Sequence, residues 1–471
     1  MQRFQIQQHL IILGGGSAAF SAAIEANRLG VKVTMINEGL PIGGTCVNVG
    51  CVPSKNLIRA AETVYKANHN PFDGVKSSAK VNDFHTLIES KEKLVQNLRE
   101  EKYINIIKDM QNFELVKGHA VLVDTKSVQV GTRVIRGTHF LICSGASSLI
   151  PDIEGLDEVD YLTNKEAFEL KELPESLIIL GGSYIALEIA QMFSRLGSKV
   201  TMLQRSNRIL SMQMNDITQE LHRYLKDEGI NIITGNAVQS VLQNKKYVDV
   251  VSMVDGSEKV FSAQKLIVAT GRRANTQGLN LEAVGVKLEN NQGIKVDEYL
   301  QTSQPNIYAA GDVLGKNMFV YTAAHEAKLA VNNMFADTKK RVDFSVLPWV
   351  IFTDPQVAGV GMDEEQANKA GLHVESAILP LRYVPRALAA QDTRGFIKLV
   401  CNVEDDTLVG ARILASEGSE LLMEVAVIIK FGIKVEELKE MLHPYLTLSE
   451  GIKLAAITFD KNVKELSCCA T

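Results

Sequence analysis

The hydrophobic pattern near the start of the chain predicts a strand, a turn, a helix and a second strand in succession. Residues 9–13 form a short apolar run typical of a buried strand, and residues 14–19 are rich in glycine. Apolar positions then recur at helical spacing to residue 29, and a second apolar run covers residues 31–36. A dinucleotide-binding fingerprint requires this order, because glycine lets backbone N–H groups approach a pyrophosphate at a helix N-terminus. The candidate contacts are Gly14, Gly16 and Ala19.

The same pattern recurs in the middle of the chain. Residues 177–180 predict a strand, residues 181–186 a turn, residues 187–196 a helix and residues 200–203 the next strand. A single glycine-rich turn is weak evidence, whereas two turns that each have the full context predict two bound dinucleotides. Gly181 and Ser183 are the candidate contacts of the second copy, in which Ser183 stands where a glycine is usual.

The residues after the second strand of each copy predict different cofactors. In the first copy Glu38 is the candidate acid for a ribose hydroxyl, although Asn37 occupies the more usual position. In the second copy Gln204 replaces the acid, and Arg205 and Arg208 follow. Guanidinium groups suit a 2′-phosphate, so the second cofactor is expected to be NADPH rather than NADH. The alternative is that the two arginines are only solvated surface.

The remaining pattern predicts an α/β fold with two Rossmann-like dinucleotide-binding domains and a C-terminal α+β domain. A long helical stretch covers residues 81–110, and short strands follow near Val121, Val128 and residues 141–144. After residue 343 the pattern changes to strands near Val357 and Phe396 and helices further on. The predicted domains are residues 1–150, 151–270, 271–345 (a second part of the first domain) and 346–471.

Composition and charge exclude several classes of protein. The 471 residues are 46% hydrophobic and 22% charged, which is ordinary for a globular chain of two to four domains. The net charge of −5 gives no basic footprint for nucleic acid. The apolar run at residues 10–13 is too short for a membrane span, and no basic segment precedes it. Six cysteines in this length do not form a disulfide scaffold, so a cytoplasmic enzyme is expected.

Four of the cysteines form two pairs. Cys46 and Cys51 lie in a glycine-rich loop, and Cys468 and Cys469 are adjacent near the end of the chain. Adjacent cysteines close only a strained ring, so they are better suited to act as two thiolate ligands, which select soft metals. The two pairs suggest a relay that moves electrons or a thiophilic metal from the surface to the interior.

The chain resembles the pyridine nucleotide–disulfide oxidoreductases, a family of flavoproteins, over nearly its whole length. The resemblance rests on the two fingerprints, the loop that contains Cys46 and Cys51, and the segments at residues 269–272 and 308–312. It implies that the first nucleotide is FAD and that the chain forms a two-fold homodimer. The residues that the resemblance places at the cofactors are Thr45, Lys55, Ala120, Gly271, Asp312 and Val320. The helix that begins near Val320 would direct its N-terminus at the flavin, where its dipole stabilises an anion.

The resemblance also implies roles for the loop cysteines and their neighbours. Cys51 would be the thiol next to the flavin and Cys46 the outer thiol that exchanges with substrate. Lys55 would stabilise a thiolate at Cys51, and Glu188 would pair with Lys55. Disulfide reductases of the family also use a histidine base, but the matching position here is Tyr445, which is a poor base at neutral pH.

This departure and the terminal cysteine pair are similar to those of the mercuric reductases within the family. That resemblance implies reduction of Hg(II) to volatile Hg(0), with Hg(II) arriving as thiol complexes and passing from Cys468 and Cys469 to Cys46 and Cys51. Tyr103 and Tyr445 would line the inner metal site, although Tyr103 alone is also compatible with a core aromatic residue. Many mercuric reductases begin with a small metal-trafficking domain, whereas this sequence is expected to start at the flavin fold.

Two other functions stay open from the sequence. One is a disulfide reductase, for example one similar to dihydrolipoamide dehydrogenase with a degenerate base. The other is a non-catalytic thiol protein that binds metal and keeps a flavin for stability.

Overall fold

The computed structural model describes residues 8–462 and residue 464. The strands within this part of the chain, in order, are β1 His9–Leu13, β2 Lys32–Asn37, β3 Phe113–Lys117, β4 Ala120–Asp124, β5 Ser127–Val130, β6 Arg133–Arg136, β7 His139–Ile142, β8 Ala146–Ser148, β9 Tyr161–Leu162, β10 Ser176–Leu180, β11 Lys199–Gln204, β12 Asn231–Thr234, β13 Ala237–Asn244, β14 Tyr247–Val254, β15 Ser257–Ala263, β16 Lys265–Val268, β17 Arg272–Ala274, β18 Ile307–Ala309, β19 Trp349–Ile351, β20 Gln356–Gly361, β21 Val374–Pro380, β22 Phe396–Asn402 and β23 Thr407–Ala415.

The helices of the same part of the chain are α1 Ser17–Arg28, α2 Gly44–Val49, α3 Cys51–Asn68, α4 Phe84–Arg99, α5 Asn105–Lys108, α6 Asn164–Ala167, α7 Tyr184–Leu196, α8 Asn215–Asp227, α9 Val320–Phe335, α10 Glu364–Lys369, α11 Pro385–Ala389, α12 Gly418–Phe431, α13 Val435–Glu440 and α14 Glu450–Ile457. A short π-helix, Glu100–Ile104, joins α4 to α5.

The first fingerprint lies in a five-stranded parallel sheet with the order β18-β7-β1-β2-β3. The central strand is apolar and buried because helices cover both faces of such a sheet. Its pairing with β2 and β7 is in register from one end of the strand to the other. β18 enters this sheet only after the chain has completed the second fingerprint unit, and α9 then packs against the same core as α1.

The second fingerprint unit repeats the design. Its five-stranded parallel sheet has the order β12-β11-β10-β16-β9, and α7 follows β10 as α1 follows β1. The predicted strands and helices of both units are confirmed, with ends displaced by one to three residues. Two three-stranded antiparallel sheets, β4-β5-β6 and β13-β14-β15, accompany the parallel sheets.

The C-terminal region is built on a different plan. Its five strands pair antiparallel in the order β19-β20-β23-β22-β21, and helices α12 and α14 pack on that sheet around a core of their own. The α/β class with an added α+β region is therefore confirmed. In the described part of the chain, no helix is both long and apolar enough to cross a membrane.

Candidate active site

The loop that carries the first cysteine pair packs directly on the first fingerprint. The Gly43 N–H donates to the carbonyl oxygen of Gly15 over 2.8 Å. A Cβ atom on Gly44 would lie 2.6 Å from Cα of Gly16, so only glycine allows the two backbones to approach this closely. The sequence therefore fixes the thiols of helices α2 and α3 against the turn that is expected to hold a pyrophosphate.

Cys46 and Cys51 face each other across the step from α2 to α3 as free, partly buried thiols. A hydrogen bond from Cys46 is the main cause that lowers the pKa of Cys51 to about 7, and the charge of Lys55 lowers it further against burial. The same hydrogen bond, together with burial, raises the pKa of Cys46. Near neutral pH this pair can present one thiolate and one thiol, which is the arrangement that thiol exchange requires.

Lys55 lies one turn after Cys51 on α3 and is held by a buried carboxylate. Its Nζ is 2.8 Å from Oε2 of Glu188, which α7 of the second unit contributes. The other oxygen, Oε1, accepts a hydrogen bond from the Phe352 N–H over 3.0 Å, and the Phe352 ring lies 4.5 Å from Lys55 Nζ. The pairing of Lys55 with Glu188 is thus present, and it joins the first unit, the second unit and the C-terminal region at one point.

Tyr103 lies beside the thiols because the helix that carries it is interrupted. The long helical stretch predicted over residues 81–110 is present as α4, the π-helix Glu100–Ile104 and α5, and the π-helix shifts Tyr103 relative to a regular α-helix. Its ring packs edge-on against Phe20 at 4.8 Å and would lie 3.3 Å from a Cβ on Gly43. Burial raises the pKa of Tyr103, a hydrogen bond with Ser17 opposes the rise, and the charges of the two loop cysteines add to it.

The fingerprint glycines of both units stand where a Cβ atom would clash with a backbone carbonyl oxygen. Gly14 has φ +131°, and a Cβ there would lie 2.2 Å from the carbonyl oxygen of Cys143. Gly181 has φ +122°, and a Cβ there would lie 2.3 Å from the carbonyl oxygen of Ala269. The helices that follow, α1 and α7, have no side-chain hydrogen bond at their N-caps. Their first N–H groups therefore point at the place where a pyrophosphate would bind.

The two residues at the end of β2 have different surroundings. The side chain of Asn37 lies against Gly15, since a Cβ on Gly15 would be 2.4 Å from Asn37 Oδ1. Glu38 is exposed and pairs with Nδ1 of His119 at 2.5 Å. Asn37 therefore occupies the position next to the fingerprint, and a ribose contact for Glu38 stays a prediction.

The corresponding positions of the second unit are Gln204, Arg205 and Arg208. Gln204 packs on Gly182 as Asn37 packs on Gly15. Arg205 and Arg208 are exposed after β11, and Arg208 Nη2 donates to the carbonyl oxygen of Ser211 over 3.0 Å. Both guanidinium groups are accessible to an anion, and their role at a 2′-phosphate stays a prediction.

Comparison with known families decides the relationship. Residues 8–327 match the family described as pyridine nucleotide-disulphide oxidoreductase, and residues 347–456 match the dimerisation domain of that family. The chain belongs to the pyridine nucleotide-disulphide oxidoreductases. The resemblance predicted from the sequence is confirmed.

Individual relatives narrow the comparison within the pyridine nucleotide-disulphide oxidoreductases. The mercuric reductase of Staphylococcus aureus is 45% identical over 461 residues, which cover 98% of this chain and 84% of that protein. The mercuric reductase of Streptomyces lividans is 41% identical over 468 residues, which cover 98% of each chain. Among solved structures, the Cu(II) complex of the HOCl-induced flavoprotein disulfide reductase RclA of Escherichia coli aligns with a TM-score of 0.86 at 28% identity, covering 97% of this chain and 100% of that one.

Membership of the pyridine nucleotide-disulphide oxidoreductases implies FAD and NADPH as cofactors, and the residues present fit both. The two glycine cradles and the uncapped helices α1 and α7 suit two pyrophosphates. Asp312 follows β18 in the first unit, and burial raises the pKa of its carboxyl group. Arg272 Nη2 lies 3.7 Å from Asp312 Oδ2. Helix α9 begins at Val320, as predicted, and it packs in the core of the first unit, so its N-terminus lies in the unit that is expected to bind FAD.

The other predicted cofactor contacts lie in these two units. Thr45 is partly buried in α2 directly before Cys46, and Ala120 is buried at the start of β4. Gly271 has φ +140° between β16 and β17. Their contacts with FAD or NADPH stay predictions.

Sequence reasoning missed two groups of this site, one partly buried and one buried. Phe352 was not a candidate, because its backbone contact with Glu188 spans 164 residues and leaves no local pattern. Glu326 on α9 is 4% exposed, and its Oε2 accepts from the Gly311 N–H over 2.7 Å. Burial raises the pKa of Glu326 to about 7. The sequence does carry a signal for Glu326, because an acidic residue stands there among the apolar positions of α9.

Two further predictions concern Tyr445, the second predicted tyrosine, and the terminal cysteines. Tyr445 is half exposed on the loop between α13 and α14 of the C-terminal region. His443, two residues earlier, is partly buried and its Nε2 lies 2.7 Å from Oε1 of Glu424. Cys468 and Cys469 lie outside the described residues, so their part in a relay stays a prediction.

Proposed function

We propose that this chain is an NADPH-dependent flavoenzyme that reduces Hg(II) to elemental mercury. The similarity to mercuric reductases over 98% of the chain supports the reaction. The loop thiols, the lowered pKa of Cys51 and the pair of Lys55 with Glu188 support a site that exchanges thiolates at neutral pH.

The observation that carries the choice of substrate is the arrangement around Tyr445. The histidine that remains, His443, is 5% exposed at its side chain and is engaged by Glu424. The family resemblance places Glu450 where an acid would orient the histidine base, and here Glu450 Oε2 accepts a hydrogen bond from the Leu446 N–H over 3.3 Å. A disulfide reductase needs a base for the substrate thiol, and no such histidine stands at this place in the described chain. Hg(II) needs no such base, because thiolates bind it directly.

The proposed reaction begins with ligand exchange. Cys51, as the thiolate, displaces one small thiolate from Hg(II); Cys46 passes its proton to that departing thiolate and then displaces the second one. FAD, when bound, conveys to this site the two electrons that NADPH supplies. Hg(II) takes up both electrons and leaves as Hg(0), and Cys46 and Cys51 keep the electron pairs of their Hg–S bonds as thiolates. Lys55 compensates the negative charge of Cys51 before and after the exchange.

We propose that Tyr103 and Tyr445 line the inner mercury site. The position of Tyr103 supports this, since the charges of both loop cysteines act on its hydroxyl. Tyr445 lies in the region that matches the dimerisation domain, so the proposal brings it to the thiols of the partner subunit.

The surface of the C-terminal region supports a homodimer. Three apolar residues at successive turns of α12 are exposed, and Leu442 on the loop after α13 is 95% exposed; the helix residues are Met423, Val427 and Phe431. An apolar stripe of this kind is costly in water and suits an interface. We propose that the dimer brings Cys468 and Cys469 of one subunit to the loop thiols of the other, and that the enzyme works in the cytoplasm.

The decisive experiment measures NADPH oxidation and release of volatile mercury by the purified protein with Hg(II) and excess small thiol. We expect Hg(II) to drive both, and Cys468→Ala/Cys469→Ala to slow them when Hg(II) is thiol-bound. Lipoamide and glutathione disulfide serve as competing substrates. If Hg(II) only inhibits and a disulfide is reduced, the protein is a disulfide reductase; if Hg(II) binds without NADPH oxidation, it is a thiol metal-binding protein.

A further inference from the structure

One short segment of the C-terminal region contacts three helices that surround the redox site, namely α3, α7 and α9. We call residues 348–354 the strap. The Tyr321 hydroxyl, on the first turn of α9, donates to the carbonyl oxygen of Pro348 over 2.5 Å. Trp349 lies parallel to the Tyr184 ring at the start of α7, with centroids 6.2 Å apart. Phe352 then covers Lys55 of α3.

One face of α7 holds the far end of the strap by its backbone. Glu188, Gln191 and Arg195 are spaced at i, i+3 and i+7, so they lie on one side of the helix. Glu188 accepts from the Phe352 N–H, and Arg195 Nη2 donates to the Asp354 carbonyl oxygen over 3.1 Å. These contacts involve backbone atoms of the strap after β19 ends, so they hold residues 352–354 against α7 while the sheet holds β19.

Gln191 makes the most complete contact of the three. Its Oε1 accepts from the Asp354 N–H and its Nε2 donates to the Asp354 carbonyl oxygen, each over 2.8 Å. The side chain is 3% exposed, and Nε2 also lies 3.2 Å from both carboxylate oxygens of Glu228. A buried amide with both ends bonded to the same residue fixes that residue in position and orientation.

We propose that Gln191 is a positioning residue for Lys55, acting through the strap and Glu188. Gln191 is the residue that bonds the Asp354 N–H, and it shares the Asp354 carbonyl oxygen with Arg195 and Arg394, so it helps to place the Phe352 N–H two residues earlier. That N–H holds one oxygen of Glu188 and leaves the other on Lys55. Without the hydrogen bond from the Phe352 N–H, the carboxylate of Glu188 is free to rotate, and Lys55 loses its fixed place beside Cys51. This inference rests on the proposed function, in which Lys55 compensates the Cys51 thiolate.

The consequence is a shift in the thiol–disulfide equilibrium of Cys46 and Cys51. A lysine that stabilises the thiolate stabilises the reduced form, so its displacement favours the disulfide. We expect Gln191→Met, which keeps the length of the side chain and removes both bonds to Asp354, to shift the equilibrium toward the disulfide by about threefold or more. The readout is equilibration in glutathione redox buffers followed by alkylation and mass spectrometry, which needs neither flavin turnover nor mercury.

Met192→Ala is the matched control. Met192 is 2% exposed on the same helix and packs in the apolar core around α7, so its truncation weakens that core while the hydrogen bonds of Gln191 to Asp354 stay in place. We expect Met192→Ala to lower the melting temperature and leave the thiol equilibrium in place. Hydrogen exchange should show faster exchange of the Phe352 and Asp354 amides in Gln191→Met only.

Gln191→Leu gives a second variant should Gln191→Met fail to fold. It also removes both bonds to Asp354 and adds no charge beside Glu228, so we expect a shift in the same direction. A shift no larger than that of Met192→Ala in either folded variant overturns the inference. If the parent does not reduce Hg(II), the proposed function fails, while the thiol equilibrium of the variants still decides the role of Gln191.

Discussion

The two fingerprint units have the same backbone geometry at their glycine turns, but the turns are covered by different parts of the protein. In each unit, a glycine with positive φ follows the first strand and packs closely against a backbone carbonyl oxygen. That oxygen belongs to Cys143 in the first unit and to Ala269 in the second. The next helix then begins without a side-chain cap. The similarity of the two cradles explains why both could be predicted from sequence, since the pattern of strand, glycine and helix is local.

The difference lies at the third position of each turn. Gly16 faces the thiol loop, with Gly44 of α2 directly above it, whereas Ser183 at the equivalent position is exposed. The first cradle is thus closed by the helices that carry the redox cysteines, and the second opens to solvent. A cofactor that stays bound suits the closed cradle, and a cofactor that must exchange at each turnover suits the open one.

The largest expected effect comes from filling the two cradles. Gly14→Ala places a Cβ against a backbone carbonyl and keeps a left-handed φ, which together cost about 2–5 kcal/mol. We expect the purified variant to retain roughly a hundredfold less flavin, measured by its absorbance per protein. Gly181→Ala should instead keep its flavin and lose NADPH affinity by a similar factor, measured by equilibrium binding.

Gly30→Ala separates the two causes. Gly30 has φ +73° with open space around its Cβ position, so it carries the conformational cost of about 1–2 kcal/mol without a clash. Its flavin content and NADPH affinity should stay near those of the parent. Equal loss of flavin in Gly14→Ala and Gly181→Ala would show that the two cradles do not serve separate cofactors.

The sequence also indicated the thiol pair and the lysine–glutamate pair, because the first lies within one loop and the second followed from the family resemblance. It did not indicate the strap or the π-helix. The strap meets α7 across more than 150 residues, and no periodicity encodes such a contact. The π-helix occurs within a sequence whose pattern fits an ordinary helix, so tertiary packing around Tyr103 decides it.

The open cradle should select its cofactor through the exposed arginines. A hydrogen bond at an exposed position contributes a net of about 0.5–1.5 kcal/mol, so one bond to a 2′-phosphate from each arginine contributes about 1–3 kcal/mol in total. We therefore expect Arg205→Ala/Arg208→Ala to weaken NADPH binding roughly 10- to 100-fold and to leave NADH binding nearly unchanged. Arg223→Ala is the matched control, an exposed arginine of the same unit that pairs with Glu220. An equal loss of affinity for NADPH and NADH would show that both arginines are only solvated surface residues.

The smallest expected effect concerns the thiols that close the first cradle. The pKa of Cys51 is lowered to about 7, so its thiolate fraction should rise with pH through that value and fall below it. The hydrogen bond from Cys46 is the larger cause and Lys55 the smaller. Cys46→Ala should therefore return Cys51 toward the ordinary thiol pKa of about 8.5 and lower its alkylation rate at pH 7 roughly tenfold.

The measurement is the pH profile of iodoacetamide alkylation of the reduced protein, resolved by peptide mapping in a Cys468→Ala/Cys469→Ala background. Lys55→Met should shift the Cys51 profile in the same direction by less than Cys46→Ala does. Cys143 is an internal control, because burial raises its pKa and should keep it unreactive over the same range. A Cys51 profile that does not move in Cys46→Ala would assign the low pKa to Lys55 and the start of α3 instead, and the loop would then close the first cradle without the two thiols acting as a pair.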